Sequence, residues 1–218
     1  MKKHIVCLGD SNTYGYCADP ADCADGGRFN EDERWTCLLQ RALGEPYLVI
    51  EEGLCGRTTV FEDPVEEGMP ALPLLYPLLK SHAPVDLLIL MLGTNDTKER
   101  LGANACAIAK GMARLICKAR TVDCWGAKEP NILLVAPPAI GEGVTHCPVA
   151  EEMGAGAVEK SRQIPGWYRA VAEDTGAAFY DANELGDVFN RVDFMHLTRQ
   201  GHSKLAKALG ALVPELLG

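Results

Sequence analysis

Residues His4–Asn12 read HIVCLGDSN, an apolar run that ends at a polar turn. The run His4–Leu8 has the length and the Ile, Val and Leu content of a buried parallel strand, and Gly9 ends it. Further runs of this kind lie along the rest of the chain, and they predict strands at Tyr47–Glu51, Asp86–Met91, Asn131–Val135 and Ala178–Tyr180. The sequence therefore predicts five short strands.

Helical patterns separate these strands. The predicted helices are about Arg34–Leu43, Ala71–Ser81, Ala103–Arg120, Ala157–Thr175 and Arg199–Leu212. Thr198 is well placed as the N-cap of the last helix, and Pro214 follows its predicted end. Alternating strands and helices predict a parallel sheet with helices on both faces. We therefore expect an α/β fold, a three-layer α/β/α sandwich with a flavodoxin-like five-stranded parallel sheet, formed by residues 1–218 as a single domain.

The charge and hydropathy of the chain exclude several classes of partner. Its 218 residues carry a formal net charge of −9, which disfavours nucleic acid and anionic membranes as partners. The longest apolar run, Leu87–Leu92, is far shorter than the roughly 20 residues of a membrane span. Lys2 and Lys3 precede too few apolar residues for a signal peptide. We expect a cytoplasmic protein with neither a nucleic-acid nor a membrane partner.

Polar and glycine-rich residues follow the predicted strands. In an open parallel sheet, ligands bind outside the carboxyl ends of the strands, which meet at one edge. The segments at this edge are Gly9–Asn12, Gly53–Arg57 and Gly93–Asp96 after the first three strands, and Asp193–His196 before the last helix. We therefore expect the functional site at this edge.

Nine cysteines occur in the chain, and none forms a CxxC pair. Their odd number without a signal peptide disfavours a disulfide framework, and the missing CxxC disfavours a zinc site. We therefore expect free thiols and no metal site. Cys7 and Cys55 are expected to be small, buried side chains that pack beneath the site.

Ser11 is the candidate nucleophile. A serine on a tight turn after a buried strand exposes its hydroxyl above the sheet, although Asp10 or Ser11 could simply cap that turn. A serine nucleophile needs a base and an orienting acid. His196 lies in a loop at the functional edge, three residues after Asp193. Asp193 could orient His196 toward Ser11, or the pair could form a helix-entry turn in which Asp193 binds backbone amides.

Acyl transfer also needs donors for the developing oxyanion, each worth roughly 10²–10³ in rate. Gly56 could lend its backbone N–H, because glycine allows a close approach. The Asn95 side-chain amide and the Ser11 N–H could supply the others. Each residue could be an ordinary turn or cap residue, but their occurrence at one edge favours catalysis.

These motifs resemble those of the SGNH (GDSL-type) hydrolases. The matching blocks are GDSN at Gly9–Asn12, the glycine Gly56, GTND at Gly93–Asp96 and DFMH at Asp193–His196. The resemblance implies an α/β/α sandwich and a serine esterase that needs no cofactor. It assigns Ser11 as nucleophile, His196 as base and Asp193 as orienting acid. It also assigns the oxyanion hole to the Ser11 amide, Gly56 and Asn95.

A narrower resemblance concerns the arylesterase/acyltransferase branch of that superfamily. It is carried by EEGLCGRTT at Glu51–Thr59 and MLGTNDTK at Met91–Lys98. The resemblance implies a small-molecule ester as substrate, short acyl groups, hydrolysis or acyl transfer, and a homo-oligomer. Carbohydrate acetylesterases lie nearby in the superfamily.

The substrate contacts are less well defined by the motifs. Asn12 departs from the Leu or Thr that many members carry after the nucleophile, and the segment 139–165 is interpreted as a loop that lines the acyl or alcohol pocket. The predicted substrate-lining residues are Asn12, Cys55, Ala139, Ile140 and Phe194.

Several alternatives stay open at this point. A thioesterase or lysophospholipase of the same superfamily would share the motifs, and a binding module for acylated sugars would share the fold without turnover. A cysteine hydrolase is disfavoured, because no histidine stands beside Cys55 and because Cys147 adjoins His146 as a sequence neighbour, an arrangement in which two side chains rarely face each other productively. Arg57 either pairs with an acid or is solvated, and His202 is expected to face solvent or make a local bond. The pairs Glu66-Glu67 and Glu151-Glu152 are interpreted as solvated surface.

Overall fold

The computed structural model describes residues 2–218, and its centre is a parallel β-sheet. The strands are β1 Lys3–Gly9, β2 Tyr47–Gly53, β3 Leu87–Met91, β4 Ile132–Ala136 and β5 Ala178–Asp181. Their order is β2-β1-β3-β4-β5, and each neighbouring pair is parallel. This is a flavodoxin-like order. The predicted five-stranded parallel sheet is confirmed, and each predicted strand end lies within two residues of the observed one.

Helices connect the strands. The α-helices are α1 Ser11–Tyr14, α2 Trp35–Leu43, α3 Ala71–Ser81, α4 Ala105–Arg120, α5 Ala150–Met153, α6 Ala157–Thr175 and α7 Arg199–Leu217. Single 3₁₀ turns occur at Asn95–Thr97, Glu99–Leu101, Glu142–His146 and Ala182–Leu185. The segment 139–165 was interpreted as a loop, although it overlaps the predicted helix Ala157–Thr175; the helix is confirmed, and the interpretation as a loop is wrong. The segment contains a 3₁₀ turn, α5 and the first half of α6, which are packed around a small apolar cluster that includes Ile140 and Met153.

Alternate residues of the strands pack on opposite faces of the sheet. On one face, Val6 and Leu8 of β1 pack with side chains of α3, α4 and α6. On the other face, Ile5 and Cys7 pack with side chains of α2 and α7. This alternation follows from the two-residue period of a strand. Both faces are therefore covered, and the predicted three-layer α/β/α sandwich is confirmed.

The last helix is longer than predicted, and Pro214 lies within it. Thr198 caps its start, as expected, by accepting a hydrogen bond from the Gly201 N–H at 3.0 Å. Beyond Pro214, the Leu216 carbonyl accepts a bond from Asn131 Nδ2 at 2.9 Å, and Leu216 packs on the core. These tertiary contacts maintain the helix to Leu217 although proline removes one helical hydrogen bond.

His202 is part of the core, and the expectation that it faces solvent or bonds locally is wrong. It is fully buried, and its Nδ1 accepts a hydrogen bond from the Trp35 N–H at 3.2 Å. Its ring also packs edge-on against Phe29. Burial lowers the pKa of His202 to about 3, because the imidazolium would be desolvated there. His202 therefore joins the start of α7 to the start of α2 as a neutral ring.

Replacing His202 with Asn should flatten the dependence of stability on pH. Asn keeps an acceptor for the Trp35 N–H but does not titrate. In the wild type, His202 takes up a proton below about pH 6.5 when unfolded, whereas the folded pKa is about 3. As the pH falls from 6.5 toward 4, the wild type should therefore lose up to about 1.4 kcal/mol of unfolding free energy per pH unit relative to His202→Asn. Urea unfolding at a series of pH values measures the difference, and parallel curves would contradict this assignment.

Candidate active site

Three loops converge at the carboxyl edge of the sheet. The turn after β1 carries Ser11, the loop after β2 carries Gly56, and the turn after β3 carries Asn95. The loop before α7 brings Asp193 and His196 to the same place. The structure thus brings together the five residues predicted to carry the chemistry.

A tight turn exposes the hydroxyl of Ser11 above the sheet. Asp10 caps the one-turn helix α1, because its Oδ1 accepts a hydrogen bond from the Asn12 N–H at 3.0 Å. Asp10 is buried, and burial raises the pKa of its carboxyl to about 6. Before it, Gly9 allows a very close approach: a Cβ there would lie 2.0 Å from Thr13 Oγ1 and 3.0 Å from the Met91 carbonyl oxygen.

An uninterrupted chain of hydrogen bonds joins Ser11, His196 and Asp193. The Ser11 Oγ lies 2.8 Å from His196 Nε2, and His196 Nδ1 lies 2.6 Å from Asp193 Oδ2. With Nδ1 protonated, His196 donates to the carboxylate and accepts the hydroxyl proton of Ser11 at Nε2. This is the arrangement of a nucleophile, a general base and an orienting acid.

Asp193 is held as a carboxylate. Its Oδ1 accepts hydrogen bonds from Asn190 Nδ2 at 2.9 Å and from the N–H groups of Met195 and His196 at 3.1 Å each. Burial by itself would raise the pKa of Asp193, but the hydrogen bond and charge of His196 and these amides outweigh it and lower the pKa to about 2. Asp193 therefore binds backbone amides and His196 at once, which excludes a helix-entry turn in which it binds backbone amides only.

The geometry around Gly56 and Asn95 suits an oxyanion. Gly56 has a φ of 83°, a conformation that favours glycine, and it lines the same cavity as Ser11. Asn95 is buried, and its Nδ2 donates to the Arg57 carbonyl at 3.2 Å, so its second amide hydrogen stays available to the cavity. Among residues 2–218, the N–H groups of Ser11 and Gly56 donate to no protein acceptor.

A cavity of about 330 Å³ opens above Ser11. Its lining has an apolar part and a charged part, and it includes Tyr16, Cys55, Glu66, Thr94, Lys98, Val149, Glu152, Met153 and Met195 besides the residues named above. Cys55 is therefore in the lining, as predicted. It is exposed and does not pack beneath the site, so the expectation that it is buried is wrong. Cys7 is buried in the core, as expected.

Asn12 does not line this cavity. It is 2% exposed, and it joins the nucleophile turn to the histidine loop. Its Nδ2 donates to the Met195 carbonyl at 3.3 Å, and its Oδ1 accepts from the Leu197 N–H at 2.9 Å. Its own carbonyl accepts from Trp35 Nε1 at 3.1 Å. Asn12 is thus a structural link between elements, because both the Nδ2 and the Oδ1 of its side chain bind backbone groups.

The other predicted lining residues also lie elsewhere. Ile140 is buried among apolar side chains, and the Ala139 N–H donates to Asn183 Oδ1 at 2.8 Å. The ring of Phe194 covers Gly143, where a Cβ would lie 2.3 Å from Phe194 Cζ. Phe194 has a φ of 61°, which lies in the left-handed region. Within the segment 139–165, the residues that line the cavity are Val149, Glu152 and Met153. Met195, the neighbour of Phe194, also lines it.

Arg57 fits neither of its two sequence interpretations. It is buried, and its Nη1 donates to the carbonyl oxygens of Gly9, at 3.1 Å, and of Glu52. Arg57 therefore joins the ends of β1 and β2 through backbone carbonyls and has no acidic partner among the described residues.

Four charged residues form what we call the ion cluster: Asp63, Lys98, Arg100 and Glu152. Arg100 contacts both carboxylate oxygens of the buried Asp63, with Nη2 at 2.8 Å from Oδ2, and it lies 2.6 Å from Glu152 Oε1. Lys98 is 4% exposed and lies 2.8 Å from the same Glu152 oxygen. Glu66 and Glu152 are exposed, as the sequence interpretation had them, and they also line the cavity. Acidic pairs in a sequence give no signal for this, whereas Lys98 stands only two residues after the GTND motif.

Tyr16 was also missed. Its ring packs against that of His196, with centroids 4.6 Å apart and planes tilted by 55°. It is partly exposed and forms one side of the cavity. The nearest sequence signal is its position just after α1, which a single aromatic residue does not distinguish from packing.

Comparison with known proteins assigns the chain to a family. A protein-family model described as the GDSL-like Lipase/Acylhydrolase family matches residues 7–204. The chain belongs to this family. The SGNH (GDSL-type) hydrolase is accordingly an enzyme that hydrolyses carboxylic esters, and the resemblance seen in the motifs is confirmed. Among curated proteins, none matches the chain.

Solved structures of esterases are similar to this hydrolase over the full length. The native aryl esterase of M. smegmatis shares 35% identity, with a TM-score of 0.89, over 99% of this chain and 100% of that one. Est24, a carbohydrate acetylesterase from Sinorhizobium meliloti, shares 33% identity, with a TM-score of 0.88, over 99% and 100% of the two chains. The arylesterase-like branch and its acetylesterase neighbours are thus both represented.

Two further findings concern the 217 residues from Lys2 onward. None of their helices is long and apolar enough to cross a membrane. They contain no group of three or more His, Cys, Asp or Glu side chains that could hold a metal ion. The single-domain division, the cytoplasmic location, the oligomeric state and the expected partners stay predictions.

Adding one methyl group at Gly9 should destabilise the hydrolase. The Gly9→Ala methyl would overlap Thr13 Oγ1 and crowd the Met91 carbonyl, and such overpacking costs about 1–3 kcal/mol. Gly166→Ala is the matched control, because its Cβ would meet nothing within 4 Å in the middle of α6. The control should stabilise the protein by up to about 1 kcal/mol. Urea unfolding measures both, and a neutral Gly9→Ala would contradict the close approach described for this turn.

Proposed function

We propose that this hydrolase is a serine esterase for short acyl groups on small esters, with Ser11 as nucleophile, His196 as general base and Asp193 as orienting acid. The observation that carries the proposal is the hydrogen-bond chain from Asp193 through His196 to Ser11, with links of 2.6 and 2.8 Å. Membership of an acylhydrolase family supports it independently.

The first half of the proposed reaction forms an acyl-enzyme. The Ser11 Oγ attacks the ester carbonyl carbon while His196 Nε2 takes the hydroxyl proton. The imidazolium that forms is stabilised by Asp193, whose pKa of about 2 keeps it ionised at neutral pH. The tetrahedral intermediate then collapses: the bond to the alcohol oxygen breaks, and His196 returns the proton to the leaving alcohol.

The second half releases the acyl group. Water, or a second alcohol in the case of acyl transfer, gives its proton to His196 Nε2 as its oxygen attacks the acyl carbon. The Ser11 oxygen leaves and regains a proton from His196. In both halves, the carbonyl oxygen would be stabilised by the N–H groups of Ser11 and Gly56 and by the Asn95 amide. These donors need no metal or organic cofactor.

The size and lining of the cavity support a small substrate. About 330 Å³ is near the lower end of the range for ligand pockets, roughly 300–1,000 Å³. Val149, Met153 and Met195 offer limited apolar area for an acyl group. The similarity to the aryl esterase of M. smegmatis supports an aryl ester as substrate.

A second candidate within this class is the removal of acetyl groups from carbohydrates. The observation that favours it is the charged part of the lining, where Glu66, Lys98 and Glu152 could exchange hydrogen bonds with sugar hydroxyls. The similarity to the acetylesterase Est24 points the same way. Comparing kcat/KM for acetylated sugars with kcat/KM for phenyl acetate separates the two candidates.

Ser11→Ala should abolish hydrolysis of p-nitrophenyl acetate, with a fall in kcat of up to about 10⁶-fold, because no other group would form the acyl-enzyme. A fluorophosphonate probe should label the wild type at Ser11 and leave Ser11→Ala unlabelled. Ser203→Ala, an exposed serine of α7, is the matched control and should keep full activity. Normal activity of folded Ser11→Ala would overturn the proposed mechanism and favour a cysteine nucleophile.

A series of p-nitrophenyl esters tests the acyl preference. We expect kcat/KM to fall from acetate through butyrate and octanoate to palmitate, because a cavity of this size cannot bury a long chain. Steady-state kinetics with each ester, and with acetyl and palmitoyl thioesters, give the comparison. A rise toward the long chains would favour a lysophospholipase or lipase, and a strong preference for thioesters a thioesterase.

A further inference from the structure

We propose that Asp96 is a positioning residue of this esterase: through Thr59 it fixes the loop that carries Gly56 against the turn that carries Asn95, so that both oxyanion donors point at one atom. The inference rests on the proposed function, because it assumes that Gly56 and Asn95 bind the oxyanion. It assigns no contact between Asp96 and the substrate.

Asp96 and Thr59 form the link directly. Thr59 donates its N–H to Asp96 Oδ1 at 2.9 Å and to Oδ2 at 3.2 Å, and its hydroxyl donates to Oδ1. Both residues are 0% exposed. In the chain, Asp96 follows Asn95 and Thr59 stands three residues after Gly56, so the link lies very near both donors. A displacement of either loop would have to break it.

The Asn95 amide makes a second link between the same two segments. Its Nδ2 donates to the carbonyl oxygen of Arg57, the residue that follows Gly56, at 3.2 Å. This bond uses one amide hydrogen and orients the other. The position of the Gly56 loop therefore decides where the Asn95 donor points, and Asp96 fixes that loop.

Helix α4 supports Thr59 from the far side. Gly111 of α4 has no side chain, and a Cβ there would lie 2.6 Å from Thr59 Oγ1. Thr59 is therefore enclosed between α4 and Asp96. Its hydroxyl has little freedom to adopt another rotamer, which makes the link stiff.

A carboxylate is a costly choice for this position. Burial raises the pKa of Asp96 to about 6, and the buried carboxylate of Asp10 adds to the effect. An apolar side chain would fill such a site without this cost. A carboxylate with several hydrogen bonds fixes direction as well as distance, which is the property that an oxyanion hole needs, because a misplacement of about 1 Å can cost about 10²-fold in rate.

The test compares two adjacent threonines of one loop. Thr59→Val removes the hydroxyl that binds Asp96. Thr58→Val, the matched control, removes a hydroxyl that donates to the Phe61 carbonyl at 2.6 Å and is equally buried. We expect Thr59→Val and Asp96→Asn to lower kcat by about 10- to 100-fold, with KM within about twofold of the wild type. Thr58→Val should keep kcat within about twofold, and Thr59→Ser should restore most of the activity.

Two further readouts separate positioning from a general loss of structure. Phenylboronic acid forms a tetrahedral adduct with a serine nucleophile, and its Ki should rise in Thr59→Val by about the factor by which kcat/KM falls. Combining Thr59→Val with Asn95→Ala should cost less than the sum of the single effects, because one donor is then already lost. Thermal unfolding shows that each variant is folded, and Thr59→Val decides the test if Asp96→Asn does not fold.

The inference is overturned if folded Thr59→Val keeps kcat within twofold of the wild type, if Thr58→Val loses as much kcat, or if only KM changes. Its failure is distinct from that of the proposed function. An active Ser11→Ala overturns the nucleophile assignment and this inference with it. An inactive Ser11→Ala beside a fully active Thr59→Val overturns only the role of Asp96.

Discussion

The parallel register of β1 with both of its neighbours is the constraint on which the site depends. Gly9, the last residue of β1, pairs with Gly53 of β2 on one side and with Met91 of β3 on the other. Three loops therefore leave the sheet at the same level. Ser11, Gly56 and Asn95 follow these paired residues by two, three and four positions, so the three residues of the proposed site lie only a few residues beyond the ends of the strands. A slip of one residue in either pairing would displace one donor by about 3.3 Å and reverse the faces of the strand.

Loops that stay close to the sheet bury their polar groups. The buried aspartates Asp10, Asp96 and Asp193 differ in how many hydrogen-bond donors surround them. Asp193 faces His196 and three N–H donors, so its pKa is low in spite of burial. Asp10 and Asp96 accept hydrogen bonds from fewer donors, so burial raises the pKa of each to about 6. The carboxylate that must stay charged beside the base thus has the most complete set of partners. The other two act on backbone and hydroxyl groups of the loops.

How much of this the sequence could predict depends on whether a signal is local. The strands, Ser11, and the pair Asp193 and His196 follow from short apolar runs and from motifs whose residues are close in the chain. Asn12 was predicted as a substrate contact. Its structural role could not be seen in the sequence, because the two residues that its side chain binds lie 183 and 185 positions away. His202 was expected to face solvent or to bond locally. Its burial could not be seen in the sequence, because its partner, Trp35, lies 167 positions away. The extension of α7 past Pro214 was missed for the same reason. Helix propensity does not include tertiary contacts such as the hydrogen bond from Asn131 to the Leu216 carbonyl.

The ion cluster shows the same limit for charges. Glu152 looks like solvated surface until Lys98 and Arg100 are placed beside it, and its carboxylate then becomes part of the cavity wall. Charged residues that pair between distant segments of the chain show no periodicity and no fixed spacing in the sequence. The cavity could therefore be located from the sequence, but the chemistry of its rim could not.

The link that Asn12 makes between the turn of Ser11 and the loop of His196 has a consequence for biosynthesis. Because translation runs from the N-terminus, the ribosome adds His196 185 residues after Ser11. Asn12 has neither of its amide partners until Met195 and Leu197 have left the exit tunnel. Under the proposed mechanism, a nascent chain therefore cannot cleave esters until the loop of His196 has emerged, and the appearance of activity during translation reports that this loop has reached the turn of Ser11.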